Sequence, residues 1–369
     1  SFQYKDCEEK NILENLNLKI NRGEVILLCG ESGCGKTTIT RLLNGLIPQF
    51  YEGALQGKVL IDNEEISSKP VSKIAESVGS VFQNPRTQFF NVDTTSELIF
   101  GCENLGWDKE TIIKQKENII NQFNIETLMD RSIFALSGGE KQKIACASVS
   151  AMNPNIIVLD EPSSSLDFQS INELRKVIQI WKEQGKTIVI AEHRIFYLNG
   201  LLDRVVYMKR GQIQKEMSAK NFELLSHHEL LSLGLRCYDL KQVRFNNNGN
   251  EKNSTITIKD MMFQYKKTSL PALAVDDLVL PSTGVIAVIG HNGAGKSTFA
   301  RCLCGLEKSC KGILEYHNQK MDRRERLNIS YMVMQDVNHQ LFTESVDEEI
   351  QISMEKDNEE KKNHILNSL

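Results

Sequence analysis

Two short stretches of this sequence carry a spacing with direct chemical meaning. Gly30-Glu31-Ser32-Gly33-Cys34-Gly35-Lys36-Thr37 fits G-x-x-x-x-G-K-[ST], and Gly290-His291-Asn292-Gly293-Ala294-Gly295-Lys296-Ser297 fits it again. Each follows an apolar, strand-like run and precedes a helical one (24–29 and 38–46 around the first). The glycines let the backbone curl until successive N–H groups converge, and the helix start adds partial positive charge, so the loop suits phosphate groups. On this reading Gly30, Gly33, Gly35, Lys36, Thr37 and Thr38 bind one nucleotide, and Gly290, Gly293, Gly295, Lys296, Ser297 and Thr298 bind another. Lys36 reaches the β- and γ-phosphates of ATP, while the Thr37 and Ser297 hydroxyls coordinate Mg2+. The rival is a glycine-rich turn without a ligand. At about 7% glycine one chance match arises on the order of once per hundred chains of this length; this chain has two.

Downstream, Ile156-Ile157-Val158-Leu159 ends in Asp160-Glu161. Beside phosphates, Asp160 would hold Mg2+ through water and Glu161 would orient or deprotonate the attacking water. A strand ending in solvated acids is common; the upstream loop gives this pair its meaning. Between the two lies Leu136-Ser137-Gly138-Gly139-Glu140-Lys141-Gln142. Ser137 and Glu140 fit a capping box opening a helix over 141–150. Two glycines in a first helical turn cost up to ~1 kcal/mol each against alanine, which makes sense where the backbone must approach a ligand closely.

These groups sit in a duplicated frame. Phe2-Gln3-Tyr4 is answered by Phe263-Gln264-Tyr265, and Val81-Phe82-Gln83-Asn84 by Val333-Met334-Gln335-Asp336, in the same order around the two loops. Shared order means a repeated domain. Strand-like runs alternating with helical stretches predict an α/β fold with a largely parallel sheet, and the polar, helical stretch 96–153 suits a subdomain beside it. The predicted division is a first domain at 1–235, a linker at 236–253 and the N-terminal part of a second domain at 254–369. The stretch 214–253 reads as the connector at large, and 246–253 has no apolar residue. Its 222–233 portion has helical spacing that suits packing on the first domain.

Composition narrows the function classes. The chain has 369 residues, 44 basic and 48 acidic, for a net charge of −4. No arm is basic enough to grip a nucleic acid, and no nucleic-acid partner is expected. Nine scattered cysteines without a C-x-x-C pair read as reduced thiols rather than disulfides or a metal site. No apolar run approaches the ~20 residues that cross a bilayer, and no signal peptide is visible.

With its neighbours in place, Leu136–Gln142 resembles the signature of the ATP-binding-cassette (ABC) ATPases, usually L-S-G-G-Q, with Glu140 in place of the glutamine. The resemblance covers nearly the whole chain and implies a P-loop NTPase fold with a mixed or parallel core sheet and an inserted helical subdomain, duplicated, the second copy truncated. It further implies that Ser137, Gly138, Gly139 and Glu140 face another domain's γ-phosphate. Gln83 and Gln335 match the glutamine that contacts Mg2+ and water and links the site to a membrane partner. His193 matches the switch histidine on the γ-phosphate, and Ser165, Leu166 and Asp167 the loop that lies across the dimer seam. Tyr4 and Tyr265 resemble the aromatic that stacks on adenine; a core aromatic is their rival reading.

Within that family the sequence is similar to the fused double ATPases of energy-coupling-factor (ECF) importers of vitamins and other micronutrients. The residues are Leu43-Asn44-Gly45-Leu46-Ile47-Pro48-Gln49-Phe50-Tyr51-Glu52-Gly53, Gln83-Asn84-Pro85-Arg86-Thr87-Gln88-Phe89-Phe90, Ala191-Glu192-His193-Arg194 and Gln335-Asp336-Val337-Asn338-His339-Gln340-Leu341-Phe342. Arg86 departs from the pattern, which often has an acid there. The resemblance implies a peripheral protein on the cytoplasmic side of a prokaryotic membrane, partnered by an integral membrane scaffold and a substrate-binding membrane subunit. The alternatives are an ATPase of a conventional importer for peptides, sugars or metals, and a soluble tandem ABC protein acting on ribosomes. The connector 214–253 argues against the latter, with six Lys/Arg against five Asp/Glu. Transferring the Gln83-to-Ser137 and Gln83-to-Asp160 intervals to Gln335 puts the second signature and second Asp-Glu pair beyond Leu369. Because such sites are shared between domains, low activity of the chain alone is expected unless two first domains form a homodimer.

Overall fold

The run ahead of the first phosphate loop forms a strand, Val25–Gly30 (β1), in which every residue is buried. A strand covered on both faces belongs inside a parallel sheet with a layer on each side. The computed structural model describes residues 1–5, 12–240, 255–266, 270–317, 319–335, 340–354 and 358–368. It divides the chain into two units, Ser1–Asn248 and Gly249–Leu369. Cys7, most of the 236–253 connector, and residues 336–339 of the second glutamine loop lie outside the described residues.

In the first unit β1 is joined by Val78–Val81 (β2), Ile156–Asp160 (β3), Thr187–Ala191 (β4), Arg204–Lys209 (β5) and Gln212–Ser218 (β6). Among the described residues their order is β6-β5-β1-β4-β3-β2. All neighbours are parallel except β5 and β6. The carboxyl ends of β1 to β4 therefore open on one edge, and the loops after Gly30, Val81, Asp160 and Ala191 leave it together. In an open parallel sheet that edge is where a ligand binds.

Alternation along β1 divides the core. Val25, Leu27 and Cys29 pack in one layer with Leu98, Ile144 and Trp181, while Ile26 and Leu28 pack in the other with Ile39, Leu42 and Ile74. The stretch 96–153 supplies the first layer through helices Thr94–Asn104, Lys109–Phe123 and Gly138–Ala151, the first two capped by Asp93 and Asp108. Trp181 Nε1 donates to Ser150 Oγ at 2.7 Å, satisfying the one polar atom of a buried indole. Residues 214–218, which read as connector in the sequence, belong to edge strand β6, bulged between Ile213 and Lys215. Beyond it Phe222 and Leu230 are buried as their helical spacing predicts, and Tyr238 packs edge-on against Phe222, with ring centroids 5.3 Å apart.

In the second unit the described strands form an antiparallel sheet of Thr255–Phe263 (β7), Leu273–Pro281 (β8), Lys311–Tyr316 (β9) and Gln319–Lys320 (β10), ordered β8-β7-β9-β10. The run 284–289 before its phosphate loop, expected as a strand, has no ladder partner, and Val285 and Ile289 are 102% and 89% exposed. In the first unit the equivalent strand is paired on both sides by β4 and β5. A strand needs a hydrogen-bonded neighbour, and among the described residues of this unit none pairs with 284–289. Among the described residues no helix is long and apolar enough to cross a membrane, and the eight described cysteines are free thiols.

Candidate functional site

The first phosphate loop leaves β1 through three glycines with φ of 147°, 78° and 100° at Gly30, Gly33 and Gly35. A side chain at Gly30 would place its Cβ 2.2 Å from the Met208 carbonyl oxygen, so both conformation and space demand glycine there. Gly35 opens the helix Lys36–Leu43. Lys36, 4% exposed, donates through Nζ to the carbonyls of Gly30 and Glu31, both at 3.0 Å, and lies 3.6 Å from Cys34 Sγ. The ammonium is thus folded over its own loop, in the space where phosphate oxygens would replace those carbonyls. The second copy repeats the geometry: φ is 156°, 81° and 87° at Gly290, Gly293 and Gly295, and Lys296 Nζ donates to the carbonyls of Gly290 and His291 at 2.8 and 2.7 Å. Ser297 and Thr298 follow in the helix Lys296–Leu303.

Four loops bring their side chains to the first of these. Thr37 Oγ1 donates to Asp160 Oδ1 at 3.1 Å. Burial raises the Asp160 carboxyl above the ordinary aspartate range; the Thr37 bond opposes this and the neighbouring Glu161 charge adds to it. Glu161 has φ of 44°, left-handed for a non-glycine residue. That turn is held by its N–H to the Ala191 carbonyl at 2.8 Å and by Ser164 N–H to its own carbonyl at 3.1 Å. It aims the carboxylate between two partners: Gln83 Nε2 donates to Oε2 at 3.0 Å, and His193 Nε2 is 3.3 Å from Oε1. The His193 contact lowers the Glu161 pKa, with burial opposing and the charges of His193 and Lys36 assisting. Lys36, Thr37, Gln83, Asp160, Glu161 and His193 therefore form one cluster, and a groove lined by Thr37, Gln83 and Asp160 adjoins it.

The glutamine loops are held alike in both copies. Gln88 Oε1 accepts from Phe82 N–H at 3.2 Å, and Gln340 Oε1 from Met334 N–H at 2.7 Å. Glu97 Oε2 accepts from Phe90 and Asn91 N–H at 3.0 and 2.8 Å; Glu349 Oε2 accepts from Phe342 and Thr343 N–H at 2.8 and 3.0 Å. Both clamps leave a phenylalanine in solvent, Phe90 at 77% and Phe342 at 80% exposure. Gln335 is exposed at the end of its described stretch.

The signature segment makes its contacts elsewhere. Ser137 N–H donates to Glu140 Oε2 at 2.7 Å and Glu140 N–H to Ser137 Oγ at 3.3 Å, the capping box expected from the spacing, on a helix that starts at Gly138. Burial would raise the Glu140 pKa, but the Ser137 bonds and Arg131, at 3.1 Å, hold it down. Gly139 has a second reason to be glycine: a Cβ there would lie 2.1 Å from Ser170 Oγ and 2.8 Å from Ser170 Cβ on the neighbouring helix. Among the seam residues, Leu166 is a core side chain and Asp167 caps the helix Phe168–Glu183 through Ser170 N–H at 2.9 Å. Tyr4 is half-buried, its hydroxyl 3.3 Å from Thr38 Oγ1 and accepting from Arg41 Nη1 at 3.1 Å; Tyr265 and Thr298 repeat the first contact at 3.2 Å. Sequence reasoning cited Glu192, Arg194 and Gln88 only as part of the resemblance, without a role, and passed over Glu97; the bonds of all four fix the loops. A charged residue directly after the apolar run Ile188–Ala191 of β4 was the available signal for Glu192.

A strand, a phosphate loop and a helix, with two carboxylates at the end of another strand of the same sheet and a capped double-glycine turn, define a nucleotide-binding cassette of the P-loop class. The family model described as ABC transporter matches residues 13–164 and 274–369. The chain belongs to the ABC transporter ATP-binding family and is an ABC-type ATPase. It is 46% identical over 355 residues to an ABC transporter ATP-binding protein of Treponema denticola, covering 94% of this chain and 72% of the relative. A second such protein of that organism is 36% identical, with 96% and 73% covered. Among solved structures, cbiO1 of Clostridium perfringens, described as part of the ABC transporter complex cbiONQ, is 32% identical at a TM-score of 0.54, covering 62% of this chain and 90% of that one. An ATP-binding cassette solved as a dimer with ADP and phosphate is 26% identical at a TM-score of 0.50, with 59% and 96% covered.

Proposed function

We propose that this chain is the ATP-driven motor of an ECF-type importer of a vitamin or other micronutrient. It would work from the cytoplasmic face on an integral membrane scaffold that carries a separate substrate-binding membrane subunit. The observation that carries the reading is the pair of glutamine loops, clamped alike by Gln88 with Glu97 and by Gln340 with Glu349, each presenting an exposed phenylalanine beside the expected site. Two matching apolar knobs on loops that begin at the site glutamines suit two matching sockets on a membrane partner. The likeness to cbiO1 supports it.

In the proposed mechanism the triphosphate takes the place of the Gly30 and Glu31 carbonyls on Lys36. Thr37 Oγ1 and Asp160 Oδ1, hard oxygen donors already 3.1 Å apart, fit Mg2+. Thr37 and Asp160 would hold the ion, which when bound would supply positive charge against the γ-phosphate. Glu161, held ionised by His193 and oriented by Gln83, accepts the proton of the attacking water, and His193 is placed to meet the charge that develops on the γ-phosphate.

Affinity purification of the chain from native membranes tests the partner. Co-elution of a multispanning scaffold with a small membrane protein is expected. Recovery with ribosomes, or with a permease and a periplasmic-type binding protein, would refute the ECF assignment.

A further inference from the structure

The loop that holds Glu161 and the loop that holds His193 are tied by a buried carboxylate that bonds no nucleotide-holding side chain. Glu192, 2% exposed, accepts four hydrogen bonds. Oε1 takes the N–H groups of His193 and Arg194, at 2.7 and 3.0 Å. Oε2 takes the Ser163 N–H at 3.2 Å and the Tyr197 hydroxyl at 3.0 Å. Arg194 closes the same gap from the other side, its Nη1 donating to the carbonyls of Ser163 and Leu166 at 3.2 and 3.1 Å.

We propose that Glu192, completed by Arg194, is a positioning residue for ATP hydrolysis, a strut that sets the distance between the Glu161 carboxylate and the His193 imidazole. The inference rests on the reading of Glu161 and His193 as the hydrolytic pair. Ser163 lies two residues beyond Glu161, whose left-handed turn costs of order 1 kcal/mol or more and persists only while its surroundings hold it. His193 lies between the two residues that form the strut. Releasing Ser163 N–H from Glu192 removes one restraint on the segment that follows that turn, and the 3.3 Å Glu161–His193 contact lies between the two segments it ties. The nucleotide-holding groups Lys36, Thr37 and Asp160 make no bond to the strut. Its loss therefore falls on turnover rather than on binding. The same strut ties the seam residues Ser165 to Asp167 to the switch loop, because Arg194 grips carbonyls at both ends of 163–166.

The decisive variant is Glu192→Gln, of the same size. Its amide oxygen still accepts from His193 and Arg194, but its NH2 faces two other donors, Ser163 N–H and the Tyr197 hydroxyl. Tyr197→Phe, which removes one bond to the same oxygen while leaving both loops tied, is the stability control, and Glu161→Gln tests the underlying reading. In the full chain, at a concentration where the wild type turns over, Glu192→Gln is expected to lower kcat by roughly ten- to a hundredfold, the scale of an ångström-sized misplacement. Its ATP dissociation constant should stay within about twofold by the same argument. Tyr197→Phe should lower the thermal midpoint comparably and leave kcat within about twofold, since its loss misplaces nothing. Wild-type kcat in Glu192→Gln, or equal kcat losses in Glu192→Gln and Tyr197→Phe, would overturn the strut while Glu161→Gln remained inactive. Full turnover in Glu161→Gln would instead remove the hydrolytic pair itself, and the strut with it.

Discussion

Replacing Lys36 by alanine should remove one of two nucleotide-binding events. In the structure the Lys36 ammonium is buried and spends its donors on two carbonyls at 3.0 Å. Binding exchanges these for phosphate oxygens. Hydrogen bonds in which one partner is charged contribute about 1.5–3 kcal/mol each, so exchanging an ammonium–carbonyl bond for an ammonium–phosphate bond gains at most the width of that range. Two such exchanges leave a net of up to about 3 kcal/mol, or up to roughly 150-fold in Kd. Calorimetric titration of Mg·ATP should give two events on the wild type, one lost in Lys36→Ala and the other in Lys296→Ala. Unchanged stoichiometry and affinity in Lys36→Ala, or loss of the same event in both variants, would refute the reasoning.

Three further outcomes are expected. Because burial raises the Asp160 pKa, Mg2+-dependent nucleotide binding should fall away as pH drops, beginning above the ordinary aspartate value of about 3.9; Asp160→Asn should bind weakly with a flat profile. Gly139→Ala, whose methyl would overlap Ser170 Oγ, should cost about 1–3 kcal/mol in unfolding free energy, and Ser170→Gly should restore most of it; an unshifted denaturation midpoint would mean the two helices part freely. If two first units lend each other Ser137 to Gly139, specific ATPase activity should rise with protein concentration, and activity independent of concentration would exclude that route.

The chemistry of this chain was legible where one residue type alone satisfies the geometry. Gly30, Gly35, Lys36 and the Asp160-Glu161 pair could be placed because a phosphate loop leaves few substitutes, and Ser137 with Glu140 because a capping box has fixed spacing. The glycines of the signature were legible as a constraint but not as to its origin, since nothing near Gly139 in sequence announces Ser170. Glu192 escaped because its four donors come from 163, 193, 194 and 197, and only the fold brings the first to the others. The run 284–289 read as a strand because an apolar pattern reports burial, whereas a strand also needs neighbours. Residues 214–218 read as connector because a polar, bulged edge strand carries little of the alternation that marks a buried one.

Single-turnover hydrolysis of radiolabelled ATP by the wild type and by Glu161→Gln bears most directly on the claim that one carboxylate, held between Gln83 and His193, drives the reaction. The account predicts ATP affinity unchanged within about twofold and hydrolysis slowed by roughly a hundredfold or more, with the nucleotide trapped unhydrolysed. Undiminished single-turnover hydrolysis in Glu161→Gln would contradict it.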